Sequence, residues 1–357
     1  MHCAPRNERG ITLIEMMVAI TVGLILLAGI VELFVSNKQA YRIQEGSNVL
    51  NENARYALNQ IEYSLRLADH WGGVEGSDIT VDGGITAIPI NCAQSPVLSG
   101  TGLIGFDGTS ATSPLSCIPN ADYQANTDMV VVRYASPPEF TVRNIPALGI
   151  TPLAKQIMVR TAIGRRGVIY QAEDAGALFA NGAGSIQDLR DQTATEAPDY
   201  IANQRFNFEV YFIRKCSSQD RGTANQCDAQ DDTIPTLTRL VLDADGATLV
   251  QQDIIAGVEQ MQLSYGLDTN GDLTADQYQN AATITAANNW DKVVDVRLSL
   301  ILRNLERDQA MAPDTNTYRL YGGNAGAGVT YTVPVAVQKF RRKLINASIQ
   351  VRNLTRG

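Results

Sequence analysis

The stretch "ITLIEMMVAITVGLILLAGIVELFV" (Ile11–Val35) constrains this chain more than any other. It has no charge between Met16 and Val31 and no proline anywhere. Wound as a helix at 1.5 Å per residue it is about 37 Å long. That is enough to cross a hydrocarbon core of about 30 Å with some tilt. Arg6 and Arg9 precede it, so its start is expected to stay in the cytoplasm. A secretory signal shares the pattern of charge followed by an apolar run. Here no small-x-small cleavage site closes the run, and "VELFVSNKQAYRIQEG" continues as helix, so the segment reads as retained. One residue is out of place. Glu15 puts a carboxylate where it costs roughly 2.5–3.5 kcal/mol, which calls for a partner.

The rest of the 357 residues exceeds one typical domain and can bury a substantial core. A formal net charge of −8, spread along the chain, argues against a general nucleic-acid binder, which would show a basic face. The five cysteines form no CxxC pair, so zinc and thioredoxin spacings are absent. Cys92 with Cys117 and Cys216 with Cys227 bracket two polar loops, and each pair suits a disulfide in an oxidising compartment. The alternative is buried free thiols. Cys3 is left over.

The segment "RGITLIEMMVAITVGLIL" resembles the prepilin N-terminus shared by type IV pilins and type II secretion pseudopilins. The resemblance implies that a prepilin peptidase cuts after Gly10 at the cytoplasmic face and methylates the new amine on Ile11. Glu15 then stands at the position of the family's glutamate, which pairs with an amine and sets register during assembly. Phenylalanine is commoner where Ile11 stands. The implied cut also removes Cys3, leaving an even number of cysteines. The rival reading is a plain signal anchor with an incidental glutamate.

Past Val35, Tyr41, Val49, Ala57, Ile61, Leu65 and Ala68 recur at helical spacing among polar residues. One helix is expected from about Ile11 to Asp69, apolar all round and then amphipathic, with Gly46-Ser47 as a soft point and Gly72-Gly73 as a stop. The expected organisation is a leader over 1–10, a membrane or filament-core helix over 11–35, its amphipathic continuation over 36–70, and a β-rich head over 71–357. "ENARYAL" (Glu52–Leu58) is similar to a stretch common in PilW-type minor pilins.

In the head, "DMVVVRY", "FNFEVYFIR", "TRLVLD", "VEQMQLSYGL" and "VVDVRLSLILR" read as strands. "DADG" (Asp243–Gly246) reads as a hairpin turn. The last strand, Val293–Arg303, alternates as if half-buried, with Val294, Val296, Leu298, Leu300 and Leu302 on one face. The fold class expected is α+β, type IV pilin-like, with a long N-terminal helix packed on an antiparallel β-rich head.

Two clusters remain. Lys339, Arg341, Arg342 and Lys343 read as a solvated strand edge. The alternatives are a phosphate or DNA site, or a contact with an acidic neighbouring subunit. "DTNGDLTADQY" places Asp268, Asn270, Asp272, Thr274 and Asp276 as hard oxygen ligands at the alternating positions a calcium loop uses. Leu273 stands where such loops carry glycine, and Gln279 where they carry glutamate. The alternative is an Asp/Asn/Gly turn that needs no metal.

No HExxH, GxSxG, P-loop or GxGxxG motif is present, and the histidines are His2 and His70 alone. No enzyme is expected, and no cofactor beyond calcium. The resemblance implies a minor type IV pilin of the PilW kind, held in the inner membrane with a periplasmic head and then carried into the fibre. Its implied partners are other minor pilins, the major pilin, the prepilin peptidase and a tip adhesin, in a fibre serving twitching motility, adhesion or DNA uptake. The rivals are a J-type minor pseudopilin of a type II secretion system and a signal-anchored periplasmic enzyme or sensor.

Overall fold

The structure is a computed structural model that describes residues 11–82, 85, 99–136, 140–141, 156–162, 166–171, 201–219, 226–243, 248–351 and 353. Helix α1 (Leu13–Leu67) is unbroken through Gly46 and Ser47. The chain divides into two compact units that meet in sequence at Val49 and Leu50. In the first unit the helical residues are solvent-exposed all round, and an 18-residue window has a mean hydropathy of 2.6 with none of it buried. An apolar surface of that length suits hydrocarbon or other helices, not water.

In the second unit α1 buries Leu50, Ala54, Ala57, Ile61, Ser64 and Leu65, at steps of three and four. The expected stripe is corrected at its start, since Tyr41 and Val49 are exposed. Tyr41 lies in the other unit, and Val49 is rotated about 100° from Leu50, off the buried face. The alanines bring the helix backbone close to the sheet, while burying Ile61 and Leu65 contributes about 1.5–3 kcal/mol each.

The helix does not stop at a glycine. Asp69 takes the left-handed conformation, φ 62°, with Gly72 and Gly73 following at 64° and 88°. Aspartate tolerates this region better than most residues, and here its groups are used. Its N–H donates to the Arg133 carbonyl at 3.1 Å. Its Oδ1 accepts from Gly102 N at 2.8 Å and from Trp71 Nε1 at 2.9 Å. A Cβ at position 102 would collide with the Asp69 backbone, so only glycine brings that donor in.

The head strands, in chain order, are β1 (Ile79–Val81), β2 (Leu103–Phe106), β3 (Met129–Ala135), β4 (Phe140–Thr141), β5 (Ile157–Ala162), β6 (Arg166–Gln171), β7 (Ile201–Arg214), β8 (Thr236–Leu242), β9 (Leu249–Ala256) and β10 (Val258–Leu267). Then follow β11 (Gln277–Gln279), helix α2 (Ala281–Ala287), β12 (Val293–Arg303), β13 (Thr317–Leu320), β14 (Val329–Thr332) and β15 (Arg342–Gln350). Among the described residues one sheet has nine strands, ordered β1-β6-β5-β7-β3-β2, with β4 and β8 also on β7 and β9 on β8. It is antiparallel except for the parallel β1–β6 pair. A second, antiparallel sheet runs β11-β10-β12-β15, and β13 and β14 form a ribbon.

The centre of the large sheet is covered on both faces. Val130, Val132, Tyr211 and Ile213 join α1 and the small sheet in one core. Their alternates Met129, Val131, Val210 and Phe212 join Trp71, Leu115 and Ile118 in a second. That is why "MVVVRYA" reads as an unbroken apolar run with no clean alternation. β8 and β9 are paired as the hairpin reading requires, with Asp243 N donating to Thr248 O at 2.9 Å; residues 244–247 of the turn lie outside the described residues.

The half-buried reading of β12 holds only at its start. Asp295 and Arg297 are partly exposed, but Ser299, Ile301 and Arg303 on the same face are buried. A segment distant in sequence covers them, with Tyr321 N, just after β13, donating to Ser299 Oγ at 2.8 Å.

Asp128 ties the two sheets together. Its N–H donates to Met261 O at 2.9 Å, while its carboxylate accepts from Leu263 N at 2.7 Å and Gly108 N at 2.8 Å. Burial pushes both Asp69 and Asp128 up to about 7, against the pull of the hydrogen bonds each accepts. An unfolded aspartate titrates near about 3.9. The folded state therefore keeps these protons longer, and stability falls as pH rises through about 7. The full chain is expected to melt at a lower temperature at pH 8 than at pH 6, with a smaller difference in Asp69→Asn. A melting temperature that is flat or rises over that range would contradict this assignment.

Candidate functional site

At the start of α1 the out-of-place carboxylate has a local partner. Glu15 N donates to Thr12 Oγ1 at 3.3 Å, and Glu15 Oε2 accepts from Thr12 N at 3.4 Å and from Thr12 Oγ1 at 3.3 Å. This is a reciprocal capping box, which satisfies two backbone donors that a helix start otherwise leaves open. The carboxylate also meets the positive end of the helix dipole. Thr12-x-x-Glu15 is legible as a capping box in the sequence, yet a reading centred on charge and membrane depth passes it by. Ile11 beside it is exposed, and Gly10 lies outside the described residues.

The Leu50–Leu67 part of α1 is held on the head by polar groups as well as packing. Ser64 Oγ donates to Glu209 Oε2 at 2.6 Å and lies 2.7 Å from Tyr211 Oη. Tyr134 Oη donates to Glu209 Oε1 at 3.0 Å, and Arg239 stands 3.5 Å from the same carboxylate. Burial and the neighbouring Glu209 charge push both tyrosine hydroxyls well above their usual range, so they remain donors. At the helix C-terminus Asn353 Nδ2 donates to the carbonyls of Arg66 and Ala68, each at 3.1 Å. These are among the last carbonyls of a helix, which have no partner within it.

The basic cluster is not a solvated edge. Arg342 has a fully buried side chain, with Nε 2.6 Å from Glu259 Oε2, Nη2 2.9 Å from Glu259 Oε1, and Nη1 3.4 Å from Asp314. Arg341 pairs with Asp308 at 2.7 Å. Lys339 donates to Gln309 O, and Lys343 to Asn51 of α1. All four cations are engaged by this chain's own groups. A planar guanidinium and a carboxylate in bidentate contact can tolerate burial where an unpaired charge cannot.

The Asp268–Asp276 loop is closed by its own hydrogen bonds. Asp268 accepts from the N–H groups of Asn270, Gly271 and Leu273 at 2.6–3.1 Å. Asp272 accepts from Thr274, and Asp276 from Thr269 at 2.8 Å. Asn270 Nδ2 lies 3.3 Å from Asp272 and 3.1 Å from Asp276. Leu273 adopts φ 65° in place of glycine, and Gln279 ends β11. Among the described residues no three His, Cys, Asp or Glu side chains form a group poised for a metal.

Cys216 and Cys227 are disulfide-bonded, with Cα atoms 5.8 Å apart. Cys117 is also disulfide-bonded, and Cys92 lies outside the described residues. His70 closes the helix end, its N–H donating to Leu67 O and its carbonyl accepting from Ala135 N.

Residues 5–31 match the family model described as the prokaryotic N-terminal methylation motif, and residues 210–353 match that of the type IV pilus-assembly protein W. Over these two segments the chain is similar to PilW-type type IV pilins. The methylation motif and the exposed apolar helix mark a membrane-anchored pilin that assembles with other pilins. The matched PilW family is a pilus-assembly family rather than a family of enzymes. No curated protein matches the chain significantly. Among solved structures, a type IV-like pilin, TTHA1219 from Thermus thermophilus, aligns over 86% of this chain and 97% of its own at 10% identity, with a TM-score of 0.33. That superposition is too loose to show a common fold. The PilW match runs through Arg239, Glu259 and Arg342 and ends at Asn353, the residue that caps α1.

Neither Glu209 nor Asn353 carries a local signal for its bond to α1, because the α1 residues they meet, Ser64 and Arg66, lie more than a hundred residues away. Glu209→Gln is expected to cost about 1.5–3 kcal/mol, the range for hydrogen bonds to a charged group. Asn353→Ala should cost about 0.5–2 kcal/mol, as lost helix caps do. Chemical denaturation of the full chain in detergent measures both, and wild-type midpoints would show that the helix is held by packing alone.

Proposed function

We propose that this pilin is a minor subunit that takes part in starting the fibre and belongs to its tip complex. It is cut after Gly10 by the prepilin peptidase, methylated on Ile11, and held by its 11–35 segment in the inner membrane with the head in the periplasm. It then passes into the pilus beside other minor pilins, the major pilin and an adhesin, in a fibre serving twitching motility, adhesion or DNA uptake. The observation that carries this reading is the Thr12–Glu15 capping box heading a helix whose apolar surface is exposed all round. The box holds the carboxylate within the first turn, beside the amine that cleavage would free. A neighbouring subunit's amine could then take over the bonds Thr12 supplies. The Cys216–Cys227 disulfide supports an oxidising compartment for the head.

Glu15→Ala is expected to leave cleavage intact and to lower the amount of the subunit in sheared pili at least tenfold. Thr12→Val should leave assembly less affected than Glu15→Ala. Undiminished incorporation of Glu15→Ala would refute the assembly role. Co-purification with secretion pseudopilins instead of pilins would favour the J-type alternative.

The calcium reading of the Asp268–Asp276 loop belongs to the same proposal, supported by oxygen ligands at alternating positions and by Leu273 in the left-handed region. It predicts a calorimetric heat on adding calcium to the full chain and a higher melting temperature, both lost in Asp268→Ala. Silence in both measurements would leave a turn closed by its own side chains.

A further inference from the structure

The head contains an open cavity of about 730 Å³ where the loop after β2, the start of β10 and the β13–β14 ribbon come together. That volume lies within the range of about 300–1,000 Å³ typical of small-ligand sites. Its floor includes Gln260, Gln262, Glu259, Arg303 and Asp128, all more than nine-tenths buried. Thr109, Thr330 and Thr332 stand exposed at the rim.

The charges in this cavity are already engaged. Glu259 is held by Arg342 in bidentate contact and by Arg303 at 3.4 Å. The two Asp107 oxygens accept from Ala281 N at 2.9 Å and Ala282 N at 2.8 Å, and those of Asp128 accept from Gly108 N and Leu263 N. The groups left over are neutral. Gln260, 7% exposed, accepts through Oε1 from Gln262 at 3.4 Å, and its Nε2 donates to no described residue. The Gln124 side chain, Asn280 Nδ2 and the rim threonine hydroxyls likewise have no partner among the described residues.

We infer that this cavity binds a short neutral oligosaccharide. A ligand of many hydroxyls donates and accepts at every position, which matches unspent amides beside carboxylates that retain free lone pairs. An apolar ligand would strand the floor amides without partners. An anionic one would face Asp107, Asp128 and Glu259 with only paired guanidiniums to meet it. A cation would have to displace bonds the carboxylates already make. Pro235, Val329, Pro334 and Val337 supply apolar wall for the C–H faces of a sugar ring.

The test uses the full chain in a zwitterionic detergent without a sugar headgroup. Saturation-transfer NMR and calorimetry are run against neutral gluco-, manno-, galacto- and N-acetylglucosamine trisaccharides, with an acidic oligosaccharide and a lysine-rich peptide as the other arms. At least one neutral trisaccharide is expected to bind. Gln260→Leu should weaken that binding at least tenfold, and Thr330→Trp at the exposed rim should block it with the melting temperature unchanged. If Gln260→Leu fails to fold, Thr330→Trp decides the matter. Absence of neutral binding, binding by the acidic or lysine-rich probe alone, or affinity unchanged in Thr330→Trp would each overturn the inference.

Discussion

The head is organised around a carboxylate buried beneath a helix. Glu209 sits on β7, at the centre of the large sheet, and bonds Ser64 of α1, Tyr134 of β3 and Tyr211 of its own strand. Apolar packing alone fixes the register of a helix on a sheet weakly, because Ile61 and Leu65 could slide by a turn at modest cost. A buried carboxylate cannot slide away from its donors, since leaving it unpaired costs several kcal/mol. Polar contact thus sets which turn of the helix lies over which strand. The apolar stripe supplies most of the binding.

The C-terminal part of the chain completes that arrangement. β15 pairs with β12 along its length. Arg342 at its start closes the buried ion pair with Glu259, and Lys343 reaches Asn51. Beyond the strand, Val351 enters the helix core and Asn353 caps the helix end. The match to the PilW family ends at this cap. Arg342, in a basic stretch that looks like surface decoration in one dimension, is therefore part of the interior frame.

The two compact units are built for different surroundings by the same helix. Up to Val49 its side chains face outward on every side, with a capping box at the start that makes the Glu15 carboxylate a structural group. From Leu50 a single face is buried and the opposite face is polar. No sequence break marks the change, because helix formation needs only local backbone bonds while the solvent each face meets is set by what packs there.

The helix, its apolar first half, the five central strands, the β8–β9 hairpin pairing and the Cys216–Cys227 bond were all legible in the sequence, because each rests on local periodicity or spacing. The same periodicity placed Val49 on the wrong face by one residue and read β12 as half-open, since it reports an element's own faces and not what a distant segment lays over them. Glu209, Arg342 and Asn353 were invisible as a set. Their bonds to Ser64, Glu259 and Arg66 span 145, 83 and 287 residues. The sequence by itself determined which segments are helix or strand and that the first of them is too apolar for water. Only the tertiary structure decided which charges go inside, because a buried ion is tolerable only where the fold brings its counter-charge and donors to it.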